Sequence, residues 1–257
     1  MEPQLQHTVA DGAATVVIDN PAKRNAMTAG MWSALPPLLD RLAADPAVRV
    51  LVLTGAGNTF CAGADISALH ETAENAQALA VRAEEALAAF AKPTLAAVRG
   101  YCVGGGCQLA AACDFRFADE GASFGVTPAR LGIVYPSPST RRLVALVGPA
   151  TAKYLLFSAE LIGSDRALRT GLVDEVLPAS GLGKRVAEFS RVLVSRSQLT
   201  QAAAKEFAQG RVDRDAYWSQ QAGAAGDRAE GVAAFLERRE PRFTWSPAPP
   251  APGTTPG

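Results

Sequence analysis

Apolar positions recur along this chain in two rhythms. Continuous or β-branched apolar runs, ATVVIDNP (13–21), VRVLVLTGAG (48–57) and TLAAVRG (94–100), alternate with longer segments whose apolar residues return every three or four positions. The first run reads as a strand with its exit turn. The other two are apolar almost throughout, the pattern of strands buried on both faces with helices packed on each side. Between them AGMWSALPPLLDRLAADP, capped by Thr28, reads as a helix that Pro36 and Pro37 must kink or divide. NTFCAGADISALH reads as a loop opening a short helix. ENAQALAVRAEEALAAFAKP (74–93) is a helix stopped by Pro93, and YCVGGGCQLAAACD turns through three glycines into a further helix. This alternation of strand and helix predicts an α/β fold.

Downstream, DFRFADEGASFG supplies short strand and turn material, 139–157 and 164–171 read as helices, and VDEVLP as a short strand. Residues 183–240 are mostly helical and charged. The expected organisation is a core over 1–182, a helical region over 183–245, and a tail over 246–257 that is rich in proline and glycine, uncharged, and expected to be disordered.

Charge and composition narrow the partners. The chain carries 25 basic and 25 acidic residues with no basic stripe, which argues against nucleic acid, because phosphate binding needs clustered cations. Apolar runs stop well short of the roughly 20 residues of a membrane span, and MEPQLQHTVADG lacks the basic and apolar regions of a secretory signal. A cytoplasmic protein without a membrane partner is expected. Four cysteines without a CxxC pair, and two histidines, His7 and His70, give no zinc spacing, so buried reduced thiols are expected and no metal.

Three motifs bear on chemistry. GASFG (121–125) matches the G-x-S-x-G nucleophile elbow, but both histidines precede Ser123, and a small-residue turn is the better reading. GGG after the third strand lacks the spacing and place of a dinucleotide fingerprint. What it offers is close backbone approach, with free N–H groups at the positive end of a helix. FCAGADI, about forty residues earlier, is a second small-residue turn after a buried strand. Two such turns aim two N–H donors at one point, the requirement for stabilising a thioester enolate.

With DNPAKRNAM, VRVLVLTGAGNTFCAGADISAL, KPTLAAVRGYCVGGGCQLAAACD, FGVTPARLG, STRRLVALVGPATAKYLL, ALRTGLVDEVLP and EGVAAFLERREPRF in this order, the chain resembles the crotonase superfamily, the enoyl-CoA hydratase/isomerase family. The resemblance covers about residues 8 to 244. It implies a ββα spiral core, a C-terminal helical region used in trimer formation with trimers paired as hexamers, and an acyl-CoA substrate. It implies no cofactor beyond the coenzyme A of that substrate. Carried over by motif, the oxyanion-hole amides are those of Ala62 and Gly105. Lys23 and Arg24 face the CoA phosphates, and Ala62, Ala64, Asp65 and Ile66 line the adenine and pantetheine path.

The chain departs from the family's hydratases at both catalytic glutamates: Gln108 follows GGGC, and Pro128 stands four residues after Phe124. Neither can exchange a proton with water or carbon. Ala64 occupies the position where some members carry histidine. Thr127, Gln108 and Tyr135 remain, and T-P-x-x-L-G-x-x-Y is similar to the crotonase-fold methylmalonyl-CoA decarboxylases, where this tyrosine belongs to the active site. A lyase that decarboxylates a β-carboxy acyl-CoA of methylmalonyl or malonyl type is therefore the favoured expectation. Losing CO2 forms the enolate without a base, and two like charges about 4 Å apart repel by about 4 kcal/mol at an effective dielectric of about 20, so resident glutamates would be harmful. Arg130, Arg141 and Arg142 read as structural or solvent-facing. An isomerase or atypical hydratase using Asp65, Glu71 or Glu120 is the alternative, and a non-catalytic acyl-CoA-binding protein is the reading of another class.

Overall fold

β1 (Gln4–Ala10) and β2 (Ala13–Asp19) open the chain as an antiparallel hairpin in which Gln4 pairs with Asp19 and Ala10 with Ala13. Asp11 and Gly12 form its turn, with φ of 50° and 80°, the backbone that a tight two-residue hairpin requires. The structure, a computed structural model, describes residues 2–65 and 69–247, with the backbone alone for 69–76. Ile66, the side chains of His70 and Glu71, and the proline-rich tail from 248 lie outside the described residues.

The main sheet continues from β2 through β3 (Val50–Gly55), β4 (Thr94–Val98), β6 (Phe115–Asp119) and β9 (Glu175–Leu177), all parallel, in the order β1-β2-β3-β4-β6-β9. β5 (Tyr101–Val103), β7 (Ser123–Gly125) and β8 (Ile162–Gly163) make a smaller second sheet. As the uniform apolar runs predicted, β4 is buried at every position and β3 at all but one.

The strands are covered from both sides. On one face α1 (Ala29–Ala44), α2 (Leu69–Ala88), α3 (Gly105–Ala112) and α4 (Ser137–Ser158) enclose the larger core, which includes Trp32, Leu53, Phe60, Leu87 and Phe124. On the other, α6 (Leu182–Ser195) packs Leu182 and Val186 on Val52, Leu95, Ala97 and Phe117. Each such large side chain, fully buried, contributes about 1.5–3 kcal/mol. α5 (Ser164–Arg169), α7 (Gln198–Ala208), α8 (Asp215–Ala224) and α9 (Asp227–Glu237) complete the chain. Lys205 on α7 reaches Asp114 at 2.9 Å, and the Arg49 Nε donates to the Val194 carbonyl at 2.9 Å, so the C-terminal helices are fastened to the sheet.

Several local expectations are corrected. α1 runs unbroken through Pro36 and Pro37, because Met31, Trp32, Leu35, Leu38, Leu39 and Leu42 bury one continuous face that offsets the two lost backbone bonds. Its Thr28 cap is as read: the hydroxyl accepts from the Met31 amide at 3.2 Å. The short helix and its long successor are one, α2, which ends at Ala88. α4 is interrupted at Gly148 (φ 73°, ψ 163°), and Pro149 starts its second half. β1 and β5 were not anticipated.

At the start of α3 the core is crossed backbone on backbone. A Cβ on Gly106, in the first turn of α3, would stand 2.3 Å from the Cys61 carbonyl oxygen and 2.7 Å from its Cβ. Gly104, just before α3, has φ 55° and ψ −123°, which favours glycine. Gly106→Ala is expected to destabilise the fold by about 3 kcal/mol, read as a lower denaturant midpoint; an unchanged midpoint would mean that the turn can yield.

Candidate active site

The segment DNPAKRNAM folds back on itself through two buried asparagines. Asn20 donates to the Ala26 carbonyl at 2.7 Å, and Asn25 donates to the carbonyls of Ala56 (2.9 Å) and Thr59 (2.6 Å). Arg24 and Asn25 both have positive φ, 50° and 58°, and the buried carboxamide of Asn25 holds that turn in place. The turn presents Lys23 and Arg24 outward. Lys23 forms an ion pair with Asp65 at 2.7 Å, and the Arg24 guanidinium lies 5.0 Å over the ring of Tyr101. Both cations, with Asp65, thus border the loop that carries Ala62 and Ala64.

That loop is pinned residue by residue. The amides of Phe60 and Cys61 donate to Arg99 and Tyr101 (2.7 and 2.9 Å), and Val103 returns a bond to Cys61 (3.0 Å). Met27 donates to Gly63 and accepts from Asp65, each at 2.8 Å, so Met27 and Ala64 face each other as an isolated parallel bridge. The Ala62 amide is also engaged, donating to the Arg24 carbonyl at 3.0 Å. This geometry redirects the oxyanion assignment, because a donated N–H has no proton left for a ligand. The amide left over is that of Ala64, whose nitrogen lies 3.8 Å from where a Cβ on Gly105 would stand. Gly105 is the first residue of α3, where an amide has no partner within the helix. Among the described residues, Ala64 and Gly105 therefore present two neighbouring amides without a backbone acceptor.

The resemblance adds the segment from Thr127 to Tyr135. Thr127 precedes a short turn over Pro128–Arg130, and Pro128, at the position of the family's second glutamate, is buried. Gln108 is half-buried on α3. The Tyr135 hydroxyl is buried and has no hydrogen-bond partner among the described residues. Burial, then the neighbouring Cys107, Glu84 and Cys102, push its ionisation well above the ordinary phenol value, so it is a neutral donor.

Two functional candidates escaped the sequence reading. Glu84 on α2 is buried, accepts from the Ser139 hydroxyl at 2.6 Å and pairs closely with Arg142, which also reaches Glu85 at 2.8 Å. Burial raises its pKa, against the pull of Arg142 and Ser139. Its signal was a glutamate set between Ala83 and Leu87 on the apolar face of a helix. Trp32 on α1 lays its ring against Gly105, with carbons 3.0 and 3.1 Å from the Cβ position, and its Nε1 has no partner. Of the alternative acids, Asp65 is engaged by Lys23 and Glu120 is exposed in a turn; the Glu71 side chain is outside the described residues.

Other chemistry is absent from this site. Ser123 lies within β7 and not on a strand-to-helix turn. All four cysteines are free and buried, with Cys61 and Cys113 raised to about 12, chiefly by burial. Among the described residues no cluster of metal-ligating side chains occurs, and no helix is long and apolar enough to cross a membrane.

The family described as enoyl-CoA hydratase/isomerase matches residues 8–246 of the chain. The crotonyl-CoA hydratase of Syntrophomonas wolfei is 37% identical over 245 residues, covering 90% of this chain and 94% of that protein. The 2,3-dehydroadipyl-CoA hydratase of Escherichia coli is 33% identical, over 89% and 93%. A crystal structure of an enoyl-CoA hydratase/isomerase family member superposes with a TM-score of 0.89 at 40% identity, over 96% of this chain and 99% of that one. These relatives are named for hydration. They overturn the expectation of decarboxylation as the lyase reaction, which had rested on the two missing glutamates and on the T-P-x-x-L-G-x-x-Y segment ending in Tyr135.

The burial of the thiols makes a simple prediction. At pH 8 the native protein is expected to leave its thiols unmodified by a disulfide reagent such as DTNB, with all four titrating after denaturation, since all four are buried and burial raises the pKa of Cys61, Cys102 and Cys113. Rapid modification of a native thiol would contradict the burial described.

Proposed function

We propose, from the premise that this chain belongs to the enoyl-CoA hydratase/isomerase family, that it binds an acyl-CoA thioester and stabilises its enolate on the amides of Ala64 and Gly105. One observation carries this reading: these two amides adjoin one another while the surrounding loop amides are engaged. Fixed donors aimed at a thioester oxygen gain strength as negative charge develops there, and such a pair is worth about 10²–10³ in rate per donor. Lys23, Arg24 and the strip from Ala62 to Asp65 take the CoA portion, and Tyr101, under Arg24, adds an aromatic surface beside it.

Reaction at carbon is atypical. Hydration removes a proton from water and delivers one to the α-carbon; isomerisation moves a proton between two carbons. Gln108 and Pro128 do neither, so the pocket offers neutral donors, the Tyr135 phenol and the Gln108 and Thr127 side chains, where an ordinary hydratase holds carboxylates. We assign it enoyl-CoA hydratase or isomerase chemistry of low intrinsic rate, with no cofactor other than the substrate's own CoA. The missing carboxylates also favour a second reading, an acyl-CoA-binding protein without turnover. For self-association as trimer or hexamer, the supporting feature is the apolar surface at the C-terminal end, where Phe235 and Leu236 are 82% and 74% exposed in the single chain.

The tests separate these readings. Ala64→Pro deletes one amide hydrogen without breaking a backbone bond, and is expected to lower crotonyl-CoA turnover about 100-fold or more while changing butyryl-CoA affinity less than about threefold. Gln108→Glu is expected to raise crotonyl-CoA hydration by about 10²-fold or more, the worth of a placed general acid or base. Binding of butyryl-CoA with no turnover in either form would select the second reading, and absence of any CoA-ester binding would refute both.

A further inference from the structure

Near the first turn of α3 two buried donors have no hydrogen-bond partner among the described residues. The Trp32 ring rests on Gly105, and its Nε1, on the carbon next to the contacting edge, has no acceptor. The Tyr135 hydroxyl, within electrostatic reach of Cys107 in the same turn, has none either. Both atoms are buried, and Trp32 as a whole is 2% exposed. The carboxylate on that side, Glu84, has its two oxygens committed, one to Ser139 and one to Arg142.

A buried donor left unpaired costs about 1–3 kcal/mol. Phenylalanine at either position would keep the ring and remove that cost. A plain alkyl chain beside this turn would leave such donors unpaired, whereas a chain bringing an oxygen within reach would satisfy them. Sites built around such donors discriminate strongly against analogues lacking the acceptor, far more than an apolar pocket discriminates by size.

We propose that Trp32 and Tyr135 form a specificity pair that selects acyl-CoA esters whose acyl chain carries an oxygen of its own, beyond the thioester oxygen held by Ala64 and Gly105. This rests on the acyl-CoA reading above. The shared chemistry is an oxygen acceptor, and a hydroxyl and a carboxylate are its two sources.

Isothermal titration of the full chain with coenzyme A, butyryl-CoA, 3-hydroxybutyryl-CoA, 4-hydroxybutyryl-CoA and succinyl-CoA tests it. At least one oxygenated ester is expected to bind about ten-fold or more tighter than butyryl-CoA, with the hydroxylated and succinyl arms telling neutral from anionic acceptor. Trp32→Phe and Tyr135→Phe are each expected to reduce that preference at least threefold with coenzyme A affinity unchanged. Equal affinity of all four esters for the unsubstituted protein overturns the proposal without calling on any variant, as does a preference that survives both substitutions. If neither coenzyme A nor butyryl-CoA binds, the acyl-CoA reading fails and this one with it; if both bind and no oxygenated ester is preferred, only the specificity pair fails.

Discussion

The crossing of Gly106 over Cys61 is the contact on which the rest of the site depends. The carbonyl of Cys61 stands where a side chain at 106 would be, so the loop after β3 and the first turn of α3 meet with no side chain between them. Once they meet, hydrogen bonds fix the register: Cys61 with Tyr101 and Val103 on one side, Gly63 and Asp65 with Met27 on the other. This parallel bridge uses the carbonyl of the residue before Ala64 and the N–H of the residue after it, and leaves the N–H of Ala64 itself out. Ala64 is the residue so bracketed, and its free amide lies beside that of Gly105 as a by-product of packing. The oxyanion site proposed for these two amides needs no charged side chain.

The residues that the family resemblance places around this site cannot ionise. Pro128 and Gln108 stand at the two positions that would carry acids, the Tyr135 phenol is held neutral by burial, and Cys61 behind the loop is a thiol raised to about 12. Glu84, the carboxylate in reach of Tyr135, is tied to Ser139 and Arg142 and so braces α2 against α4, with Gln77 adding a 2.7 Å bond to the Val134 carbonyl. In such surroundings a developing negative charge finds dipoles and neutral donors, with little like-charge repulsion. The same neutrality removes the proton-transfer groups that make hydration fast, which sets this pocket apart from an ordinary hydratase whatever the names of its relatives.

Much of this was legible in the sequence. The buried strands announced themselves as unbroken apolar runs, and the glycine cluster and FCAGAD as paired small-residue turns, because burial and close approach constrain residue type directly. The β1 hairpin was missed although Asp11-Gly12 is a tight-turn dipeptide, since β1 itself is mostly exposed and alternates weakly. Pro36 and Pro37 misled because tertiary burial of α1 outweighs a local penalty. Which amide stays free, Ala62 or Ala64, cannot be read from motif position: it is decided by Arg24 and Met27, more than 35 residues away. Glu84 and Trp32 were passed over for a similar reason, as each looks like ordinary helix content until its neighbours from other elements are known. The expectation of decarboxylation failed because two absent acids exclude a mechanism without specifying its replacement.

The central claim is that the amides of Ala64 and Gly105 hold the thioester oxygen, and isotope-edited infrared spectroscopy of bound crotonyl-CoA, labelled with 13C at the thioester carbonyl, addresses it without requiring turnover. Two hydrogen bonds to that oxygen predict a shift of the carbonyl stretch to lower frequency on binding, reduced when the Ala64 amide hydrogen is removed. A bound ester whose carbonyl absorbs at the same frequency as in water, or whose shift persists in full without that hydrogen, would contradict the account.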